Sequence, residues 1–384
     1  MIASNILATL LAYNPWIEDS NVWDKAAYKH LPHSKKHPYV RRFEDHRVNW
    51  PQRGTINLVV GPRQCGKSTL IWNTLLCDKQ VPVYINCNEF CMIEWCQSPV
   101  MFWEDLKTVV KQPKMLFFDE IQHVKNAALF LKGLADLNNE ITIFATATSL
   151  FNLQDKLSES LAGRVNRIRL LPFSLKEWML DAIDLSPALM AKNLESKFQR
   201  MVVFGSYPEV WFSSRPDLLL NNLVESFVVR DASNSIRIRF PAKFRRLLAT
   251  LASQIGNLVN YSHLASICGL DVKTATSYTN TLQEQHVIKL IPPFVGGKRA
   301  EIKNAPKVFF IDNGIRNLLI SQFNAFEMRG DREILFENLV FSELEKISEP
   351  LNSVLSSLHI INGGIMQNKG VVVRTHRSLT NCND

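Results

Sequence analysis

Between Thr55 and Ala147, short apolar runs alternate with segments whose apolar residues recur at helical spacing. The runs at residues 56–60, 81–85, 115–118 and 141–145 are rich in Val, Ile and Phe, which favour strands. The segments between them, 67–79, 103–110 and 124–134, suit helices. Such alternation predicts an α/β fold: a parallel sheet with helices on both faces, because parallel strands need crossover connections. Beyond Leu171 the strand signal fades, and helical periodicity at 175–184, 194–204 and 218–229 predicts a helical lid. From 244 onward, three helix-length segments precede a β-rich run at 287–291 and a second at 307–311. Helices closing on a two-stranded hairpin predict a winged helix-turn-helix. Its apolar face would be Leu264 and Ile267, then Val272, Ala275, Tyr278 and Leu282 after a turn at Gly269. Lys273, Thr274, Thr276, Ser277 and Asn280 would then point outward. Residues 1–50 have no clear period and suit a wrapping, partly basic arm. The expected organisation is an arm (1–50), a core (51–172), a lid (173–240), a winged helix-turn-helix (241–322) and a short C-terminal region (323–384).

The chemistry concentrates where the first strand meets its helix. Gly61-Pro62-Arg63-Gln64-Cys65-Gly66-Lys67-Ser68 fits G-x-x-x-x-G-K-[ST] at every fixed position, and Thr69 follows. A polyphosphate is met there by successive backbone N–H donors at a helix N-terminus, where the helix dipole also favours anions. Lys67 supplies a point charge for the terminal phosphates, and the Ser68 hydroxyl is a ligand for Mg²⁺. The run Met115-Leu116-Phe117-Phe118 ends in Asp119-Glu120, at the strand end where open α/β sheets place ligands. Asp119 is the expected partner of the hydrated Mg²⁺, and Glu120 the expected general base toward water. The next run ends in Thr146-Ala147-Thr148, and either hydroxyl suits sensing the nucleotide or capping the following helix. Arg164, after Gly163, suits transition-state charge stabilisation in cis or across a subunit contact, or an ordinary surface position. The expected ligands are ATP and Mg²⁺, and the expected reaction is ATP hydrolysis.

In order along the chain stand Asn14-Pro15-Trp16, the 61–69 loop, Asp119-Glu120-Ile121-Gln122, Gly163-Arg164, Gly205-Ser206-Tyr207-Pro208-Glu209, Arg230-Asp231 and Phe309-Phe310-Ile311-Asp312-Asn313-Gly314. This series resembles the prokaryotic AAA-type ATP-binding proteins whose C-terminal region combines a winged helix with a nuclease-like fold. The resemblance implies an ATPase of the additional-strand class, in which the strand carrying Thr146 separates the Asp119 strand from the loop strand. One departure concerns the end of the chain. Between Glu349 and Asp384 no Asp or Glu occurs, whereas a metal-dependent nuclease needs several carboxylates. Nuclease activity is therefore not expected, and residues 351–384 read as a degenerate, poorly packed tail.

Composition narrows the partners. With 384 residues, 46% of them hydrophobic and 21% charged, the chain suits a globular protein of more than one compact unit. A net charge of +8 suits anionic partners. Arg237, Arg239, Lys243, Arg245, Arg246, Lys298, Arg299, Lys303 and Lys307 surround the helix-turn-helix, which makes duplex DNA one expected partner. A protein partner or a further copy of this chain is the other. Seven irregularly spaced cysteines, among them Cys87, Cys91 and Cys96, fit reduced thiols better than disulfides or zinc. No signal peptide or membrane span is indicated, so a cytoplasmic location without membrane contact is expected.

Overall fold

The computed structural model describes residues 2–32, 39–46, 54–138, 140–148, 165–180, 186–226, 238–292, 305–347, 359–361, 364–366 and 372–374. The chain divides into two units. The first comprises Met1–Asp184, Tyr207–Ser214 and Glu284–His286, and the second holds the remainder.

The first unit contains α1 (Ser4–Tyr13), α2 (Trp23–Tyr28), β1 (Ile56–Val60), α3 (Lys67–Cys77), β2 (Val83–Asn86), α4 (Phe90–Trp95) and α5 (Pro99–Val109). It continues with β3 (Met115–Asp119), α6 (Ala127–Leu137), β4 (Thr142–Ala147), β5 (Val165–Arg169) and α7 (Leu175–Met179). The strands form one parallel sheet in the order β2-β3-β4-β1-β5. Thus β4, with Thr146, lies between the loop strand β1 and the acidic strand β3. Every residue of β1 and β4 is buried, as expected for central strands covered on both faces. Side-chain alternation then assigns the faces. Leu58, Leu116, Phe118, Ile143 and Ala145 pack with Phe102, Leu106, Leu131 and Leu134 of α5 and α6. Val59, Tyr84, Phe117 and Phe144 pack with Leu70, Ile71, Trp72 and Leu75 of α3 and with Trp16 and Trp23.

The N-terminal segment is more regular than its sequence suggests. It forms α1 and α2, and Asn14 after α1 pairs with the edge strand β2. Its Nδ2 donates to the Tyr84 carbonyl at 2.8 Å, and its Oδ1 accepts from the Tyr84 N–H at 2.6 Å. Trp16 Nε1 donates to Pro82 O at 2.8 Å, and its ring meets Trp23 edge-on at 5.0 Å. The His30 ring stacks on Trp72 at 4.2 Å, so this part of the arm packs on the core.

The second unit contains α8 (Pro187–Phe204), α9 (Pro216–Ser226), α10 (Pro241–Ser253), α11 (Tyr261–Cys268) and all but the last residue of α12 (Val272–Glu284). The antiparallel pair β6 (Ile288–Ile291) and β7 (Lys307–Phe310) follows, then α13 (Asn313–Leu319) and α14 (Arg332–Ile347). Leu264, Ala275, Tyr278 and Leu282 are buried as expected, but Ile267 and Val272 are 39% and 47% exposed. The buried face of α11 is Leu264, Ala265 and Cys268, and Ile267 turns about 100° away from Cys268 on a helix of 3.6 residues per turn. Val272 opens α12, whose buried face begins at Ala275. Three short strands, β8 (His359–Ile361), β9 (Gly364–Met366) and β10 (Val372–Arg374), form an antiparallel sheet in a tail where the sequence reading marked no strand.

Candidate functional site

The residues singled out in the first unit converge at the C-terminal ends of β1, β3 and β4. Gly66 adopts φ 99°, which carries the chain from the loop into α3. Gly61 passes so close to β5 that a Cβ there would stand 1.8 Å from the Leu170 carbonyl oxygen. The first N–H groups of α3, which Lys67 and Ser68 open, have no partner within the helix. Lys67 is only 4% exposed. Its Nζ donates to Pro62 O at 3.0 Å and to Thr148 Oγ1 at 3.4 Å, and lies 3.8 Å from Glu120 Oε1.

Asp119 sits one strand further from the loop. Its Oδ1 accepts from Ser68 Oγ at 2.6 Å and from Thr146 Oγ1 at 2.5 Å, and its Oδ2 accepts from Tyr84 OH at 3.1 Å. Burial pushes the Asp119 carboxyl above the usual carboxylate range, although all three hydroxyls oppose that rise. Glu120 occupies a left-handed conformation, φ 58°, and its N–H donates to Thr146 Oγ1 at 2.8 Å. Thr148 Oγ1 donates to Glu120 Oε2 at 2.9 Å, and Gln122 Nε2 donates to the same oxygen. Burial would raise the Glu120 carboxyl, but Lys67 and these two donors outweigh it and hold the group below its ordinary range.

A loop lysine, a hydroxyl and a carboxylate arranged in this way fit a nucleotide with a magnesium ion. Ser68 and Asp119 place two hard oxygen ligands together, and Mg²⁺ needs few from the protein because it keeps several waters and takes phosphate oxygens. Among the described residues no group of three or more His, Cys, Asp or Glu side chains could hold a metal ion. Cys87 and Cys96 lie buried in the core.

Thr146 and Thr148 have distinct surroundings. Thr146 fixes the acidic pair, whereas Thr148 lies between Lys67 and Glu120. Arg164 and Gly163 lie outside the described residues, as do Arg230 and Asp231. Three contacts were not read from the sequence: Tyr84 on Asp119, Gln122 on Glu120, and Arg42 behind the loop. Arg42 Nη1 donates to Cys65 O at 3.1 Å, its Nε pairs with Glu177 Oε1 at 2.9 Å, and its guanidinium lies 4.2 Å from the Phe173 ring centre. Asn14 serves edge pairing rather than the site. In the second unit, the Asp312 carboxylate accepts from Ser206 N at 2.7 Å and Ile315 N at 3.1 Å, and Asn338 donates to Asn313 Oδ1 at 2.6 Å. The motifs at 205–206 and 309–314 therefore include a buried polar knot.

Around the expected helix-turn-helix, Lys273 and Asn280 on α12 are exposed. Lys243 donates to the Gly269 carbonyl, Arg245 pairs with Glu225, and Lys307 lies 3.9 Å from Glu337. Arg237, Lys298, Arg299 and Lys303 lie outside the described residues. No described helix is long and apolar enough to cross a membrane.

The parallel sheet and the loop form an α/β domain, and residues 53–179 match the family described as an AAA domain. Residues 195–325 match a family described as a domain of unknown function. The chain is 23% identical over 357 residues to an uncharacterized protein of Methanocaldococcus jannaschii, across 89% of this chain and 78% of that one. Similar solved structures include a Walker-type ATPase of Pyrococcus abyssi, with 16% identity, TM-score 0.45 and coverage of 75% of this chain and 98% of that one. Another is the RuvB Holliday junction branch migration motor of Thermotoga maritima, with 15% identity, TM-score 0.34 and coverage of 64% and 84%.

Proposed function

We propose that this chain is a magnesium-dependent ATPase whose nucleotide state alters the helices of residues 173–240 and a winged-helix module at 241–322. The observation that carries the reading is the triangle of Lys67, Glu120 and Thr148, joined through Thr146 to the Asp119–Ser68 pair at three neighbouring strand ends. In this reading the loop amides, Lys67 and Thr69 hold the triphosphate. Ser68 and Asp119 hold the cation, which neutralises charge on the phosphate oxygens when bound.

Lys67 would exchange its contacts with Glu120 and Pro62 for phosphate oxygens, freeing the Glu120 carboxylate. Water then bonds to the γ-phosphorus, the bond to ADP breaks with its electron pair on the ADP oxygen, and Glu120 takes the proton of the water. Thr148, within reach of both Lys67 and Glu120, is the better placed hydroxyl for sensing the terminal phosphate. Arg164 is assigned to transition-state charge, from the same chain or a neighbouring copy.

Phosphate release and nucleotide affinity test this reading. Lys67→Ala should abolish tight ATP binding, whereas Glu120→Gln should retain binding and lose turnover by roughly 10²-fold or more. Wild-type turnover in Glu120→Gln would remove the base assignment.

A second reading, a DNA-binding regulator with ATP as a structural ligand, draws on Lys273 and Asn280 standing exposed on α12 before the β6–β7 pair. No phosphate release with or without duplex DNA, together with DNA affinity that falls steeply with salt, would favour it. A third, an ATP-dependent oligomerising scaffold, would show a nucleotide-dependent change in molecular size that Arg164→Ala blocks.

A further inference from the structure

A carboxylate acts as a base toward water only when a defined oxygen faces that water, so the contacts that fix the other oxygen matter. In Glu120 the two oxygens are not equivalent. Oε2 accepts from Thr148 Oγ1 at 2.9 Å and from the Gln122 side-chain amide, while Oε1 faces Lys67 Nζ at 3.8 Å. Gln122 lies in the 3-10 turn Ile121–His123 directly after Glu120, and both ends of its amide are engaged. Its Nε2 donates to Glu120, and its Oε1 accepts from the Thr148 N–H at 3.3 Å. The chemistry fixes this orientation of the amide. Flipped, it would set a carbonyl against a carboxylate and an NH₂ against an N–H donor.

We propose that Gln122 is a positioning residue for the base: with Thr148 it holds Oε2, so that Oε1 is the oxygen that takes the proton of the attacking water. This rests on the ATPase reading above. Before phosphate arrives, Lys67 faces Oε1. When Lys67 moves to the phosphates, Oε1 is released toward the place where the terminal phosphate enters, while the Gln122–Thr148 bracket keeps Oε2 in place. Gln122 thereby links the Glu120 side chain after β3 to the Thr148 backbone N–H after β4 and sets the angle at which Glu120 meets water.

The test uses the full chain and measures phosphate release and ATP affinity separately. Gln122→Met keeps length and lacks the amide, and Gln122→Leu checks that one side chain does not mislead. Both should lower kcat about ten-fold, the scale of a misdirected base, with Kd for ATP within two-fold of wild type. In a Glu120→Gln background the same Gln122→Met change should cost nothing further, because a residue acting through Glu120 is non-additive with its loss. An unchanged kcat, a loss confined to Kd, or full additivity with Glu120→Gln would overturn the assignment. Absence of phosphate release from the wild-type chain would remove the ATPase reading itself and this inference with it. Normal wild-type turnover with an indifferent Gln122 would remove this inference alone.

Discussion

Two guanidinium groups converge on Asp331. Arg329 Nη2 pairs with its Oδ2 at 2.8 Å, Arg316 Nη1 pairs with the same oxygen, and both arginines are almost fully buried. Burial alone would raise this carboxyl, but the two arginines hold it down to about 2. Because its folded value lies below its unfolded one, its stabilisation is fully present above about pH 4, the ordinary Asp range, and is lost as pH falls through about 2. Wild type should therefore lose more stability between pH 4 and pH 2 than Asp331→Asn, as chemical denaturation at each pH would show. The same scale separates what sequence reading reaches from what it misses. Lys67, Ser68, Asp119 and Glu120 stood out because a fixed spacing within one strand-loop-helix unit places them. The contacts of Tyr84 and Gln122 did not, because they depend on strand register and on a left-handed backbone at Glu120, neither of which the local sequence states.

At the scale of elements, strands β1 to β4 were legible because each is a mostly apolar run, and they begin and end within two residues of those runs, whereas β5 carries Asn166, Arg167 and Arg169. Helix α1 was not, since only Leu10 of its residues is buried and one buried position makes no period. Asparagine closes strand backbones twice. Asn14 serves Tyr84, and Asn338 accepts from Phe310 N at 2.8 Å and donates to Phe310 O at 3.0 Å. Arg42 joins elements in a different way, tying the segment before β1 to the phosphate loop and to the Ser174–Glu177 capping box of α7. Arg42→Ala leaves Glu177 buried with its charge partner gone, which costs about 3–5 kcal/mol by the usual behaviour of such pairs. Urea unfolding would measure that loss. A weaker hold on ATP should accompany it, because the Cys65 carbonyl loses its donor.

For the whole molecule, the division into units falls between the two family matches, after Asp184 and before residue 195. Charge and composition pointed to more than one unit but not to its boundary, because the segments 207–214 and 284–286 cluster with the first unit out of chain order. Ligand binding stabilises what it binds. ATP with magnesium at one hundred times its Kd should add about 2.7 kcal/mol to the first unit. Of the eight tryptophans, the seven described, at 16, 23, 72, 95, 103, 178 and 211, belong to that unit, and Trp50 lies outside the described residues. Indole emission is thus a native reporter for one half of the chain and blind to the other. The emission transition should move to higher urea when nucleotide is added, while the share of the far-UV signal that does not track it stays where it was.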